Sequence, residues 1–400
     1  MTGSTQRFSV QRYAPERGPW SKLAARDSVL RRLDWPLLLA ALALSFVGSL
    51  LVWSATRGRD ALTHGDPYYF FFRHALNTGI GLALMIGTIW LGHRTLRGAV
   101  PVLYGLSVLL VLAVLTPLGA TVNGAHAWIV LGGGFSLQPS EFTKITIILG
   151  MAMVLAARVD AGDQSHPDQR TVVKALGLAV VPIAIIMMMP DLGSVMVIAM
   201  IIIGVLLASG ASNRWVLGLL GTGALGAVLV WQIGLLDEYQ INRFAAFANP
   251  ELDPAGVGYN TNQARIAIGS GGLHGTGLFK GSQTTGQFVP EQQTDFVFTV
   301  AGEELGFLGA GLILVLLGVV LWRACRIARE TTELYGTIVA AGIIAWFAFQ
   351  SFENIGMTLG IMPVAGLPLP FVSYGGSSMF AVWVAIGLLQ SIRVQRPITA

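Results

Sequence analysis

A single cysteine, Cys325, occurs in 400 residues, which excludes an internal disulfide framework and any cysteine-built metal centre. Charge is equally scarce. Asp, Glu, Lys and Arg make up 12% of the chain against 54% hydrophobic residues, too polar-poor a composition for a soluble globule of this size. No GxxxxGK phosphate loop is present, which argues against a primary ATP-driven pump, and no internal repeat is visible. His126 and His274 stand too isolated to argue a zinc site.

What the chain has instead is a regular alternation of long apolar runs and polar loops. Ten runs approach the roughly 20 residues that cross a bilayer as helix, and their continuity excludes the alternating pattern of a membrane barrel. They are Leu37 to Ala55, Phe70 to Leu91, Ala99 to Thr116, Phe142 to Ala157, Ala175 to Met189, Leu192 to Ala208, Trp215 to Leu235, Leu305 to Trp322, Tyr335 to Thr358, and Gly375 to Ile392. The fold class expected is all-α, a polytopic membrane protein of ten spans. Residues 1–35 read as a basic, disordered tail without a cleavable signal peptide. Residues 36–393 form the transmembrane domain, with one long loop over 235–304, and 394–400 form a short second tail.

Orientation follows from the basic residues. An inside N-terminus puts 18 of the 25 Lys and Arg in the inner loops and tails, so both termini are expected in the cytoplasm and the 235–304 loop outside. The formal net charge of +4 then reflects topology and attraction to anionic lipid heads, with no need of nucleic acid.

The acidic residues gather at span ends, where a carboxylate marks function or an ion pair. Asp295 stands where the long outer segment meets the eighth span; it reads either as a helix N-cap or as a catalytic carboxylate. Glu303 and Glu304 follow, close enough to raise one another's pKa or to share a divalent cation such as Mg2+ or Mn2+. Glu141 and Lys144 make an i, i+3 helix pair behind Ser140 as N-cap, or else Lys144 is a fixed cation at the outer mouth facing a phosphate. Arg243, Arg265 and Lys280 add outer positive charge for an anionic ligand, while Arg57, Arg59 and Arg73 read as lipid-head binders. Asp191, after Pro190, reads as an N-cap. Gln350, Glu353 and Asn354 share one helical face that must look into the bundle. Trp128 is an aromatic-belt residue or a platform on which a sugar stacks. The glycines of NQARIAIGSGGLHGTGLFKGSQ, residues 262–283, allow either tight turns or a backbone nest for an anion.

These stretches, in this order, resemble the SEDS family (shape, elongation, division and sporulation) of bacterial cell-wall glycan polymerases. The resemblance runs over roughly Trp35 to Arg393. ENIGMTLGIMPVAGLPLPFVSYGGSS, residues 353–378, carries most of it, with QPSEFTK, PDLGS, ARIAIGSGGLHGTGL and PEQQTDF in their expected places. NIGM followed by GLPLPF is closer to the RodA-like elongation members than to the division members. The resemblance implies a multi-pass enzyme of the bacterial cytoplasmic membrane that joins lipid II disaccharides into glycan on the outer leaflet. It implies a class B penicillin-binding protein as transpeptidase partner, the family's essential aspartate at Asp295 and its outer lysine at Lys144. One departure is Ala127 in NGAHAW, where the family often carries arginine.

In the mechanism these readings share, Asp295 takes the proton of an acceptor sugar hydroxyl that displaces a lipid diphosphate, a role typically contributing about 10²- to 10⁴-fold. Lys144 stabilises the departing charge. The rival reading is a flippase carrying the same lipid across the bilayer.

Overall fold

The computed structural model describes residues 29–122, 125–132, 135–189, 191–234 and 257–395. The chain divides into two units, Met1–Leu33 and Asp34–Ala400. In the first, the described element is the single helical turn Val29–Arg32. The second is a helical assembly whose long helices are α1 Trp35–Thr56, α2 Tyr69–Leu91, α3 His93–Val114, α4 Pro139–Asp160, α5 Gln169–Met187, α6 Leu192–Ala208 and α7 Asn213–Ile233. They continue with α8 Val257–Ser270, α9 Gly306–Glu330, α10 Leu334–Leu359 and α11 Gly376–Val394.

Among the described residues, eight helical stretches are long and apolar enough to cross a membrane, and α6 is a shorter apolar helix of 17 residues. Burial sorts them into two layers. About two thirds of α1, α4, α10 and α11 is buried inside the protein, against about a quarter of α2, α3 and α5. The first group is therefore the centre, and the second presents side chains such as Trp90, Val102 and Val180 outward, as lipid contact requires. The helix starts are set by local chemistry: Asp34, Asp168 and Asp191 each cap a first turn through the amide three residues on. Asp191 is thus the plain N-cap expected.

The departure from an all-α fold lies between α3 and α4. Strands β1 Gly119–Val122, β2 Ala125–Gly132 and β3 Phe135–Leu137 form an antiparallel sheet in the order β1-β2-β3. Two of its strands are short, and the longest, AHAWIVLG, does not alternate apolar with polar residues, so a hydropathy reading does not show it. Trp128 sits half-buried on β2 opposite Ala120, and Ala127 is buried.

At the opposite boundary a buried charge cluster joins three helices. Asp34 accepts from Nε and an amino group of Arg323 at 2.9 and 2.7 Å and from Arg393 at 2.7 Å. Its main chain exchanges two further hydrogen bonds with the Gln390 side chain. The cluster ties the start of α1 to α9 and to the end of α11.

The eighth expected span starts earlier than hydropathy places it. Helix begins at Val297, passes through a π turn at Ala301–Leu305 and runs on to Glu330. Glu303 and Glu304 thus lie within the helical run. Both are buried.

Candidate active site

Asp295 lies half-buried in the turn that precedes Val297. It is not the N-cap of that helix: Phe296 occupies the position, without a side-chain cap hydrogen bond. The turn is held from several sides. Asn354 Nδ2 on α10 donates at 2.7 Å to the Asp295 carbonyl and at 2.7 Å to the Leu367 carbonyl. Tyr374 donates its amide to the Gln293 carbonyl at 2.8 Å, and Arg59 donates to the Val289 carbonyl at 3.2 Å. Burial pulls the Arg59 guanidinium below its usual range, and neighbouring Glu291 works against that pull. Gly366, at φ +69°, brings the 361–375 loop so close that a Cβ there would lie 3.4 Å from Asp295 Oδ2. The positive φ is a glycine conformation.

Lys144 sits in a second cluster on the same helix face. Its side chain is wholly buried, not open at an outer mouth. Nζ donates at 2.7 Å to Glu141 and at 3.1 Å to Gln350 Oε1, and it lies 4.8 Å from the Trp346 ring centre. Gln350 Oε1 also accepts from Trp346 Nε1 at 2.7 Å, and Gln350 Nε2 donates to the Pro368 carbonyl at 2.7 Å. The i, i+3 pair with Glu141 is therefore real, but Ser140 does not cap it: Gln138 is the N-cap and Pro139 the first helical residue. Burial is the physical reason for the pairing, because either charge alone would be costly there.

The two clusters are one construction. Gln350 and Asn354 stand one turn apart on α10, both fully buried, and hold the adjacent carbonyls of Pro368 and Leu367. Glu353 is buried on the same face, as the helical spacing requires. The 361–375 loop is thereby pinned to α10 between the Lys144 pair and the Asp295 turn.

Glu303 and Glu304 face the 276–286 segment. The Glu303 carboxylate accepts from the amides of Gln283 and Thr284 at 2.7 and 2.8 Å and from Thr284 Oγ1 at 2.7 Å. Glu304 accepts from Ser54 Oγ at 2.7 Å. The amides that meet this carboxylate belong to the short helix Ser282–Thr285 at the end of the glycine-rich run, and the anion they hold is the chain's own Glu303. Close packing is the other use of the glycines: a Cβ on Gly271 would fall 2.0 Å from the Gly302 carbonyl oxygen.

This arrangement does not fit a divalent cation shared between the two glutamates, since amides and hydroxyls already take up the Glu303 carboxylate. Among the described residues no three His, Cys, Asp or Glu side chains are grouped as metal ligands.

Of the other expected ligands, Arg265 and Lys280 are exposed on α8 and on the 276–286 segment, and Arg243 lies outside the described residues. Arg57, Arg59 and Arg73, read as lipid-head binders, each contact the chain: Arg57 donates to the Phe279 carbonyl and covers its ring, Arg59 donates to the Val289 carbonyl, and Arg73 covers the rings of Tyr69 and Phe135. The role of Asn354 is legible in the sequence only as a buried face. Its bond to Asp295 spans 59 positions, and no local pattern announces such a contact.

The sequence matches the FtsW/RodA/SpoVE family model, described as cell cycle protein, over residues 34–397. It is 38% identical over 363 residues to stage V sporulation protein E of Bacillus subtilis (strain 168), covering 90% of this chain and 96% of that one. It is 35% identical over 364 residues to peptidoglycan glycosyltransferase MrdB of Escherichia coli (strain K12), covering 91% and 94%. The fold is similar to that of the rod shape determining protein RodA of Thermus thermophilus, with a TM-score of 0.64, 30% identity, and coverage of 90% and 96%. A chain in a structure on how a peptidoglycan synthase complex coordinates polymerization and crosslinking matches with a TM-score of 0.72, 30% identity, and coverage of 90% and 97%. A family match that starts at the Asp34 cluster and spans the whole helical unit, agreeing with the SEDS motifs, leaves one conclusion: the chain is a multi-pass membrane protein of the FtsW/RodA/SpoVE family.

Proposed function

We propose that this protein is a peptidoglycan glycosyltransferase that polymerises lipid II on the outer face of the cytoplasmic membrane, in the service of cell elongation. The activity for which its Escherichia coli relative is named supports the reaction, and the NIGM and GLPLPF stretches support the elongation role. In this reading the chain crosses the membrane ten times with both termini in the cytoplasm, and the loop between the seventh and eighth spans is extracytoplasmic.

The observation that carries the reading is the held Asp295 turn: a half-buried carboxylate at a helix end, fixed by contacts to its backbone from α10. Asp295 acts as the general base. It takes the proton from the acceptor's GlcNAc 4-hydroxyl as that oxygen bonds to the donor's anomeric carbon. The bond from that carbon to the lipid diphosphate breaks, and the diphosphate leaves with the electron pair. Negative charge then collects on the leaving group, where the exposed Arg265 and Lys280, with Arg243, are its counter-charges. Lys144 supports the site from within the bundle, through Gln350 and the 361–375 loop, and Trp128 offers a sugar-stacking face. A class B penicillin-binding protein supplies the crosslinking, by analogy with the synthase complex whose chain this one resembles.

The test is lipid II polymerisation by purified protein in detergent, with the partner's transpeptidase serine blocked. Micelles have no two sides, so transport has no meaning there while glycosyl transfer does. Uncrosslinked polymer supports the enzyme. No polymer, combined with lipid movement between leaflets of reconstituted vesicles, promotes the flippase.

A further inference from the structure

The polar boundary where basic residues concentrate keeps most of its charges paired. Arg94 pairs with Glu333, Arg97 with Asp160, Arg326 with Glu330, and both Arg323 and Arg393 with Asp34. One cleft gathers more cations than it has carboxylates. Between the last turns of α4 and the first turns of α5 lies an open cleft of about 450 Å³, lined by Met153, Val154, Ala157, Arg158, Asp168, Arg170, Thr171 and Lys174. Three cations there face one carboxylate.

That carboxylate is committed elsewhere. Asp168 accepts from the Thr171 amide at 2.9 Å as the cap of α5. The Thr171 hydroxyl and amide, helped by Arg158 and Arg170, hold the Asp168 carboxyl below the usual carboxylate range, so it stays an ionised cap at neutral pH. Arg158 approaches it only to 3.9 Å, beyond hydrogen-bond reach. Arg170 and Lys174 make no ion pair among the described residues and, at i, i+4 on α5, project from one face.

The wall opposite the charges is apolar. Met153, Val154 and Ala157 supply it from α4, and the outward side chains of α5, Val173, Val180 and Val181, continue an apolar surface away from the charged end. A charged mouth on a lipid-facing apolar groove matches one kind of occupant. A soluble anion would use the cations and leave the groove empty, whereas an acidic protein segment would have to enter between two membrane helices.

We propose that the α4–α5 cleft binds an anionic phospholipid, its phosphate held by Arg158, Arg170 and Lys174 and the start of its acyl chain lying on Met153, Val154 and Ala157. Guanidinium groups suit the phosphate because their planar fork can donate two parallel hydrogen bonds, and Lys174 adds a point charge. Basic pockets between membrane helices are a recurrent form of headgroup recognition. The site is independent of the glycosyltransferase reading and lies on elements that do not carry Asp295.

The experiment titrates delipidated full-length protein with phosphatidylglycerol or phosphatidylcholine in neutral detergent and counts retained lipid by native mass spectrometry. Wild type should hold phosphatidylglycerol in preference to phosphatidylcholine, and Arg170→Gln with Lys174→Gln should lower that retention by about tenfold or more. Arg214→Gln with Arg329→Gln removes the same charge at exposed positions outside the cleft and should leave retention unchanged. Equal retention of the two lipids by wild type, or an equal loss in both double variants, would overturn the site. All four positions are exposed, so folding is not at stake. Each single variant of the cleft pair should lose part of the retention, and unchanged retention in the cleft double variant also counts against the site.

Discussion

Asn354 holds Asp295 by its backbone: its side-chain nitrogen donates at 2.7 Å to the Asp295 main-chain carbonyl. The same nitrogen reaches Leu367, so one buried amide sets the distance between the proposed base and the 361–375 loop. Asn354→Leu should therefore lower kcat for lipid II polymerisation about a hundredfold, the cost of a small misplacement of a reacting group, with little change in apparent KM. The readout is steady-state polymerisation beside a thermal unfolding curve. A loss of activity wholly accounted for by unfolded protein would make Asn354 a packing residue.

Asp295→Asn should abolish polymerisation, at least about 10²-fold, while membrane insertion and thermal stability stay near wild type. The structure gives a reason to expect intact folding: the helix that follows is capped at Phe296 and not by Asp295. Near wild-type glycan synthesis by this variant would remove the base assignment.

The Glu141 to Lys144 pair predicts a stability effect with a defined rescue. Lys144→Met strands the Glu141 carboxylate, which is 1% exposed, and should cost about 3–5 kcal/mol, whereas adding Glu141→Gln should recover most of it. Unfolding in detergent measures both. Equal instability of the single and double variants would show that packing, not charge, holds this region.

Glu303→Gln removes the charge that two amides and a hydroxyl of the 282–284 turn address. Hydrogen bonds to charged groups contribute about 1.5–3 kcal/mol, so amide exchange over residues 281–287 should speed up by tenfold or more while α9 itself stays protected. Hydrogen exchange by mass spectrometry resolves the two. Unchanged protection over 281–287 would mean that Glu303 does not anchor the segment.

The membrane class is legible in the sequence because uncharged apolar runs of span length find few stable settings besides a bilayer, and α1 Trp35–Thr56 falls almost on the expected Leu37 to Ala55. The inward face of Gln350, Glu353 and Asn354 follows from helical spacing alone. Three features escape such a reading. The sheet over Gly119–Leu137 is built from strands of 4, 8 and 3 residues, of which two are short and the longest, AHAWIVLG, lacks apolar-polar alternation, though the Asn123-Gly124 pair is a hairpin signal. The π turn at Ala301–Leu305 moves the start of the eighth span, because hydropathy cannot see a polar residue turned inward. Lys144 reads as a residue of an exposed mouth because position along a helix fixes depth but not which neighbours will cover it. Long-range contacts from α10 decide that, and they lie 206 positions away for Gln350.

The Asp34 cluster has a consequence for biosynthesis. Asp34 precedes the first span, yet its partners Arg323 and Arg393 follow 289 and 359 positions later. During synthesis the first helix enters the bilayer long before either arginine has been made. Until then the carboxylate must stay hydrated at the membrane surface, since an unpaired buried charge is not sustainable. Final seating of α1 is thus a late event, begun when α9 brings Arg323 and completed when α11 brings Arg393. A variant that lacks the Arg393 guanidinium should be left with a less firmly seated start of α1, so that a late segment of the chain completes an early one.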